Sequence, residues 1–494
     1  MEDTVYEVGV CAFEGCKGLT EIRFSENLFG IGQHAFSGCT GLTAVTLPPS
    51  LEGIGVGAFS GCTGLTQVSL PELKSILSGT FQGCTGLRSM TLPDSMRRIE
   101  SYAFYGCSNL SELHLPESLT TIDHLAFQDC GSLTQITIPD SVTELAINAF
   151  DGCTSLEAFQ VTAGNDAFCS VDGVLYDKEQ RVLIKYPEGK KNDTFTISAD
   201  VTALEDRELK SPYLAEINVA PGNEDFSSLD GVLFNADQTE LIRVPRRKQG
   251  AYEIPQRVCV IDPFSLQNCT SLRAVTIPAG VHSDWSEYQF FTGCVSLEEI
   301  RVAEDNEDFS SLDGMLLNKA QTELICCPPG KAGACTIPAG VEQLGGSEFS
   351  ACPLLTDIHV APENENLSSI DGVLYDKAQT GLIRVPCGRQ GDFVIPASVK
   401  SIWTEAFKNC AQLTSVTIPD GEESIGYEQF KGCKALTSVT IPASVRDISR
   451  AFDFDDADSQ ARKDFIIYGV PGSEAQRAAE EYGFRFEPIG AAAP

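Results

Sequence analysis

Nineteen cysteines are the residues here whose type and spacing first suggest chemistry, and such residues can serve as disulfides, metal ligands or core side chains. Their spacing decides among these. Cys16, Cys39, Cys62, Cys84, Cys107, Cys130 and Cys153 recur at steps of 23, 23, 22, 23, 23 and 23 residues, and Cys410 and Cys433 resume the step of 23. A fixed period returns one residue type to one place in each unit of a repeat architecture. Stacked units hold equivalent Cα atoms about 4.8 Å apart with parallel side chains, which keeps the Cβ atoms beyond the roughly 3.5–4.5 Å usual for a disulfide. We therefore expect a buried ladder of free thiols. Cys11, Cys169, Cys259, Cys326, Cys327, Cys335 and Cys387 lie off this register and are the candidate exceptions.

Other chemistry finds little support. No Cys-x-x-Cys pair occurs, and His34, His114, His124, His282 and His359 are scattered, so a zinc site is not expected. Acidic clusters such as Asn223-Glu224-Asp225, Glu304 to Asp308, and Asp453, Asp455, Asp456 and Asp458 offer calcium ligands. They lack the spacing of an EF-hand or a glycine-rich nonapeptide, and read as solvated Asx-rich turns. There is no Gly-x-Ser-x-Gly, His-Glu-x-x-His, phosphate loop or dinucleotide fingerprint. We expect a non-enzymatic protein with no cofactor and no metal.

The charge excludes more. Lys and Arg total 35 against 69 Asp and Glu, a net charge of −34, which repels nucleic acid and anionic lipid. With 42% hydrophobic and 21% charged residues the chain can still build a large core. No apolar run is long enough to span a membrane, so no membrane insertion is expected. The first residues, MEDTVYEVGVCAF, lack the basic and apolar regions of a signal peptide. Either the protein is cytoplasmic, or its targeting segment is missing from this chain.

The elements that must carry these residues follow from the period. In LTQITIPDSVTELAINAFDGC, Leu133 to Cys153, Leu133, Ile136 and Ile138 read as a short strand closed by Pro139. A Val-x-x-Ile step, such as Val445 and Ile448, then sends two more apolar side chains inward. An Ala-Phe pair before the cysteine, such as Ala406-Phe407, suits a helical or 3₁₀ turn on the opposite side. Each unit is one coil of a solenoid, and stacking buries a continuous core. The lone step of 22 loses its residue between Pro71 and Leu73, in a turn, leaving the core in phase.

We divide the chain into regular coils at 1–160, composite coils at 161–400, regular coils again at 401–460 and a C-terminal cap at 461–494. The composite coils are marked by Asp172-Gly173, Asp230-Gly231, Asp313-Gly314 and Asp371-Gly372, at steps of 58, 83 and 58. Segments such as GVLYDKAQTGLIRVP read as hairpins that protrude from, or pad, one side. Near the end, Ser473 and Gln476 form a capping-box pattern, Ala475, Ala478, Ala479 and Tyr482 keep helical spacing, and Gly483 stops the helix. A final strand around Phe484 and Phe486 covers the last coil. Val5, Val8, Ala12 and Phe13 already stand in repeat register, so the chain is expected to begin inside a coil, with upstream residues in the full product.

Strand alternation turns the intervening residues to one outward sheet. Thr and Ser there simply favour strands, and the copies near 414–440 read as an idle solvated face. The central coils break that pattern with Glu112, His114, Gln135, Glu157, Gln160, Glu216, Asn218, Arg273, Glu298 and Arg301, joined further on by His359. These eleven are the candidate partner-binding residues.

The unit from Ile395-Pro396-Ala397-Ser398-Val399 through Ala406-Phe407, Cys410 and Leu413 to Ile418-Pro419 resembles the BspA-type leucine-rich repeat. The DGVLYDK…LIRVP insertion and the IYGVPGSEAQRAAEEYGFRF terminus are similar to features of that family. The resemblance implies an α/β repeat solenoid: a right-handed leucine-rich-repeat superhelix with a stacked β-sheet on one face, short helical turns on the other and inserted β-hairpins in the central coils. It implies a surface or secreted bacterial protein, extracellular or on the cell, that adheres to a host, matrix or cell-surface protein or to a glycan. We expect a monomer. An intracellular scaffold, or the spacer or targeting region of a larger multidomain protein, are the alternatives.

Overall fold

The computed structural model describes residues 4–205, 209–282, 290–342, 344, 348–349, 351–448, 450–452 and 464–489. The fold is a solenoid of stacked parallel strands with nearly no helix. It divides into two compact units, Met1–Asp237 and Gln238–Pro494.

Each regular coil of the first unit has three segments. One is a face strand, as in Ala44–Thr46, Gln67–Ser69, Ser89–Thr91, Glu112–His114, Gln135–Ile138 and Ala158–Val161. Alternation buries Val45, Val68, Met90, Leu113, Ile136 and Phe159. After the proline turn a two-residue strand follows, such as Arg98–Ile99 or Thr121–Ile122, so the Val-x-x-Ile step builds a second parallel ladder of its own.

The third segment, expected as a helical or 3₁₀ turn, is a run of separate hydrogen-bonded turns. The amides of Ala35, Ser37 and Cys39 bond three residues back, to Gly32, His34 and Phe36. Those of His34, Phe36 and Gly38 bond instead to Val56, Ala58 and Ser60 of the next coil. A helix would keep these bonds within itself; alternation spends half of them on holding coils together. It requires left-handed backbone at two places per coil, here His34 and Gly38 with φ of 52° and 70°.

The missing residue after Pro71 leaves Leu73 and Ile76 buried, as expected, yet it interrupts the second ladder. Gly53–Ile54 pairs back to Gly30–Ile31, and Ser75–Ile76 pairs forward to Arg98–Ile99. A cleft of about 650 Å³ lined by residues including Glu52, Glu72 and Lys74 opens at the break.

In the composite coils each Asp-Gly is itself a two-residue hairpin turn. Phe168–Val171 pairs antiparallel with Val174–Asp177 across Asp172 (φ 50°) and Gly173 (φ 80°), a geometry that needs positive φ at both residues. A second turn then leads to Val182–Lys185, giving three antiparallel strands. The hairpin pads the stack: Gly173 O accepts the Phe159 amide at 2.9 Å and Ser170 Oγ accepts the Val161 amide at 3.1 Å. In the second unit Gly372 O and Ser369 Oγ do the same for Ile358 and Val360.

The Asn-rich loops have a structural reason. Asn165, Asn306 and Asn364 are fully buried. Asn165 Nδ2 donates to Pro139 O and Val142 O at 2.7 and 3.0 Å, while its Oδ1 accepts the amides of Ala167 and Phe168 at 2.9 and 2.8 Å. One side chain thus ties the turn of one coil to the start of the next hairpin. Asn364 repeats this with Pro338, Val341, Asn366 and Leu367. The acidic run at 453–458 lies outside the described residues.

At the C-terminal end, Glu474–Tyr482 is helical with Gly483 as its left-handed stop, and Ala475, Ala478 and Ala479 are buried. The capping box does not form: Ser473 makes no side-chain cap, and Gln476 Oε1 accepts the amide of Gly472, one residue before the cap, at 2.9 Å. Phe452 meets Tyr482 and Phe484 edge-on, and Arg485–Pro488 extends the face sheet.

Two outcomes follow. Asn364→Ala strands two carbonyls and two amides and should cost about 2–3 kcal/mol in urea unfolding, whereas the exposed neighbour Glu363→Ala should change little. Asp151 takes hydrogen bonds from Lys185 Nζ and Lys210 Nζ at 2.5 and 2.7 Å. Burial raises its carboxyl, but the two ammonium groups outweigh that and hold it below its usual range. A lowered folded value stabilises above the unfolded one and is lost as pH falls through the folded one. Asp151→Asn should therefore cost about 2–4 kcal/mol at neutral pH, with the gap to wild type closing below about pH 4.

Candidate functional site

The outward residues of the face strands are set by register, so their grouping can be read strand by strand. All eleven candidates point away from the core: Asn218 is half-buried and the other ten are exposed. The strands that carry them do not form the single sheet that alternation alone implied. In the first unit Ser89–Thr91 pairs with Glu112–His114, Gln135–Ile138 with Ala158–Val161, and Thr194–Ile197 with Glu216–Val219, each as its own two-stranded sheet. The hairpins are the reason in the composite coils, because Gly173 O and Ser170 Oγ occupy edge amides of Ala158–Val161 that would otherwise reach the next face strand.

Within these sheets some candidates meet. Gln160 Nε2 donates to Gln135 Oε1 and Thr137 Oγ1 donates to Gln160 Oε1, both at 3.3 Å, forming a small amide platform. His114 stands opposite Thr91 and Glu112 opposite Ser89. Glu157 is paired at 2.5 Å with Lys191 from the loop behind the first hairpin, and this carboxylate raises the Lys191 ammonium. Glu216 accepts from Asn218 at 3.4 Å on a separate sheet.

In the second unit Arg273 and Arg301 share one three-stranded sheet of Gly250–Glu253, Leu272–Ile277 and Glu299–Val302, and Glu298 immediately precedes its last strand. Arg273 reaches Glu298 at 3.5 Å, and Arg301 reaches Glu299 at 2.5 Å, which holds the Glu299 carboxyl below its usual range. His359 lies on the sheet of Gly333–Ile337 and Leu355–Val360, opposite Thr336. The Ser- and Thr-rich strands Gln412–Thr417 and Ser438–Thr440 belong to a continuous five-stranded face sheet that carries none of the eleven.

These contacts are ion pairs and amide pairs between exposed side chains on or beside the face strands. Among the described residues no group of three or more His, Cys, Asp or Glu is placed to hold a metal ion, and no helix is long and apolar enough to cross a membrane.

The cysteines are all free thiols. In the regular coils of the first unit the ladder forms as expected from Cys39 to Cys153, with Cys16 exposed. Burial pushes the Cys62 and Cys107 thiols up to about 12, so they stay protonated and inert as nucleophiles at neutral pH. Sequence reading passed over the buried cations Lys185, Arg243 and Arg384, which stand at one position of the composite coil. Aligning the composite coils at their step of 58 would have exposed them, because a charge there interrupts an apolar run.

The sequence pattern of the family described as BspA type leucine rich repeat region matches in six copies, over residues 1–89, 74–171, 249–313 and 386–457. A leucine-rich repeat protein from Bacteroides ovatus is similar at 19% identity over 99% of this chain and 76% of its own, with a TM-score of 0.32. A leucine rich cell surface protein from Faecalibacterium prausnitzii shares 19% identity over 99% and 84%, with a TM-score of 0.30. The pneumococcal vaccine antigen PcpA shares 18% over 90% and 89%, with a TM-score of 0.32. No curated protein matches the chain. With the family's repeats covering more than half of its residues, the chain belongs to the BspA-type leucine-rich repeat family.

Proposed function

We propose that this chain is a non-enzymatic binding or adhesion protein, displayed on a bacterial surface or secreted, that engages a protein or glycan through its face strands or hairpins. The observation that carries this reading is the set of exposed, mixed-charge strands in a chain whose repeats belong to a family of surface and secreted proteins. Open strands carrying Arg273 and Arg301 or His114, Gln135 and Gln160 present polar groups at fixed intervals, which fits a large partner better than a small substrate. The net charge of −34 favours basic or neutral partners.

A second reading, an intracellular scaffold, is favoured by one observation: nineteen thiols without a disulfide suit a reducing compartment. Fractionation of the producing cell separates the two.

The surface reading is tested by immobilising purified matrix and host surface proteins and measuring binding of the full chain. Where a partner binds, replacing Arg273 and Arg301 together, or His114 and Gln160 together, by alanine should weaken one interaction by about five- to thirtyfold, equivalent to roughly 1–2 kcal/mol. Unchanged affinity in both variants would remove the face strands from the reading, and absence of binding to any extracellular protein or glycan would remove adhesion itself.

A further inference from the structure

The second ladder of the first unit's regular coils runs on both sides of one break. Glu7–Val8, Gly30–Ile31 and Gly53–Ile54 form one sheet, and Ser75–Ile76, Arg98–Ile99, Thr121–Ile122 and Glu144–Leu145 form the next. The bonds lost between them can be named from the coils on either side. Before the break Glu52 N donates to Phe29 O and Gly55 N to Ile31 O, at 2.9 and 2.7 Å. After it Arg97 N donates to Lys74 O and Glu100 N to Ile76 O, at 2.7 and 2.9 Å. At the break itself the corresponding bonds, Lys74 N to Glu52 O and Leu77 N to Ile54 O, are absent. Two carbonyls on one wall and two amides on the other are left without backbone partners.

The serine that clamps neighbouring coils is missing there too. Ser50 Oγ donates to Leu28 O at 2.7 Å and Ser95 Oγ to Leu73 O at 2.9 Å, but the shortened coil has no serine between Pro71 and Leu73 to reach Leu51 O. The opening is local. Across the same two coils the face strands Ala44–Thr46 and Gln67–Ser69 stay paired, and Gly57 N still donates to Ser78 O at 2.9 Å in the back turn. The cleft of about 650 Å³ falls within the roughly 300–1,000 Å³ of sites that hold ligands. Its Gly53 wall has open space where a side chain would stand. Glu52, Glu72 and Lys74 line it, all exposed, and among the described residues none of the three forms an ion pair.

We propose that this break is a docking slot for an extended, basic segment of a partner protein, which enters as the missing parallel strand. The amides of the segment donate to Glu52 O and Ile54 O, and its carbonyls accept from Lys74 N and Leu77 N. The main chain supplies the affinity, because unpaired edge groups are a template for another strand. The rim supplies the preference: two carboxylates against one ammonium, in a chain of net charge −34, favour Lys or Arg on the incoming segment. A compact small molecule would leave most of these spaced donors and acceptors unmet. The slot uses neither the face strands nor the hairpins, so it stands or falls apart from them.

The test selects a phage-displayed library of random nine-residue peptides on the full chain. Counter-selection uses a variant with one serine inserted between Glu72 and Leu73, which restores the spacing of Pro93-Asp94-Ser95-Met96 and closes the ladder. Recovered peptides should be rich in Lys or Arg and poor in Pro, and should bind the wild type about tenfold or more tightly than the insertion variant. Methylating alternate backbone amides of the best peptide should weaken it by about tenfold, because the donors to Glu52 O and Ile54 O are lost. Glu52→Lys combined with Glu72→Lys, both at exposed positions, should weaken binding by about fivefold or more, and replaces the insertion variant as the comparison if that variant fails to fold. Recovery of no peptide that tells the wild type from the variant, or unchanged affinity after methylation, would overturn the proposal.

Discussion

From Phe13 to Phe127 the carbonyl of each stacked phenylalanine accepts two hydrogen bonds, and the stack depends on both. Phe36 O takes the amide of Cys39 at 3.2 Å, closing the turn of its own coil, and the thiol of Cys62 at 3.1 Å, from the coil that follows. The pattern recurs from Phe59 O with Cys84 at 3.2 Å to Phe127 O with Cys153 at 3.2 Å. Beside it the rings of Phe13, Phe36, Phe59, Phe81, Phe104, Phe127 and Phe150 lie nearly parallel, with centroids 5.1–5.8 Å apart. Cysteine suits this place because it is small, apolar enough to bury and still a donor, provided that it stays protonated. Burial ensures that it does.

That requirement explains where the pattern changes. The composite coils put Val-Pro or Cys-Pro where the Phe turn stood, and the thiols of Cys269, Cys352 and Cys410 sit 3.4–3.8 Å from the replacement carbonyls. Other groups take over the coil-to-coil linkage there. Asn165 and its counterparts bond the previous turn, the hairpin turns occupy the free edge of the preceding face strand, and buried cations such as Arg384 reach carbonyls one coil ahead. Inserting a hairpin thus substitutes polar side chains for regular backbone stacking, at the cost of breaking the face into short sheets.

The period, the core positions and the free thiols were legible because each is a repeated constraint: the apolar residue or cysteine returns whenever the coil does. The back turns, expected as helical or 3₁₀, keep bonds three residues back, but Ala-Phe composition does not reveal that alternate amides of His34 to Cys39 bond to the next coil. The outward direction of residues such as Glu112 and Arg301 was readable from alternation, but their division among separate sheets depends on the hairpins and on register, which no single strand encodes. Arg384 and Cys387 escaped notice because their significance is mutual: one is an isolated charge and the other an off-register cysteine until the fold sets them 3.0 Å apart.

The stack requires the ladder thiols to act as hydrogen-bonding core residues rather than as inert spacers. Comparing Cys107→Ala with Cys16→Ala by urea unfolding of the full chain tests this directly, since Cys107 is fully buried and donates to Phe81 O at 3.1 Å, whereas Cys16 is exposed. The expected result is a loss of about 1–2 kcal/mol for Cys107→Ala, from a missing bond and an unfilled space, with less than about 0.5 kcal/mol for Cys16→Ala. Equal and negligible losses at both positions would contradict it.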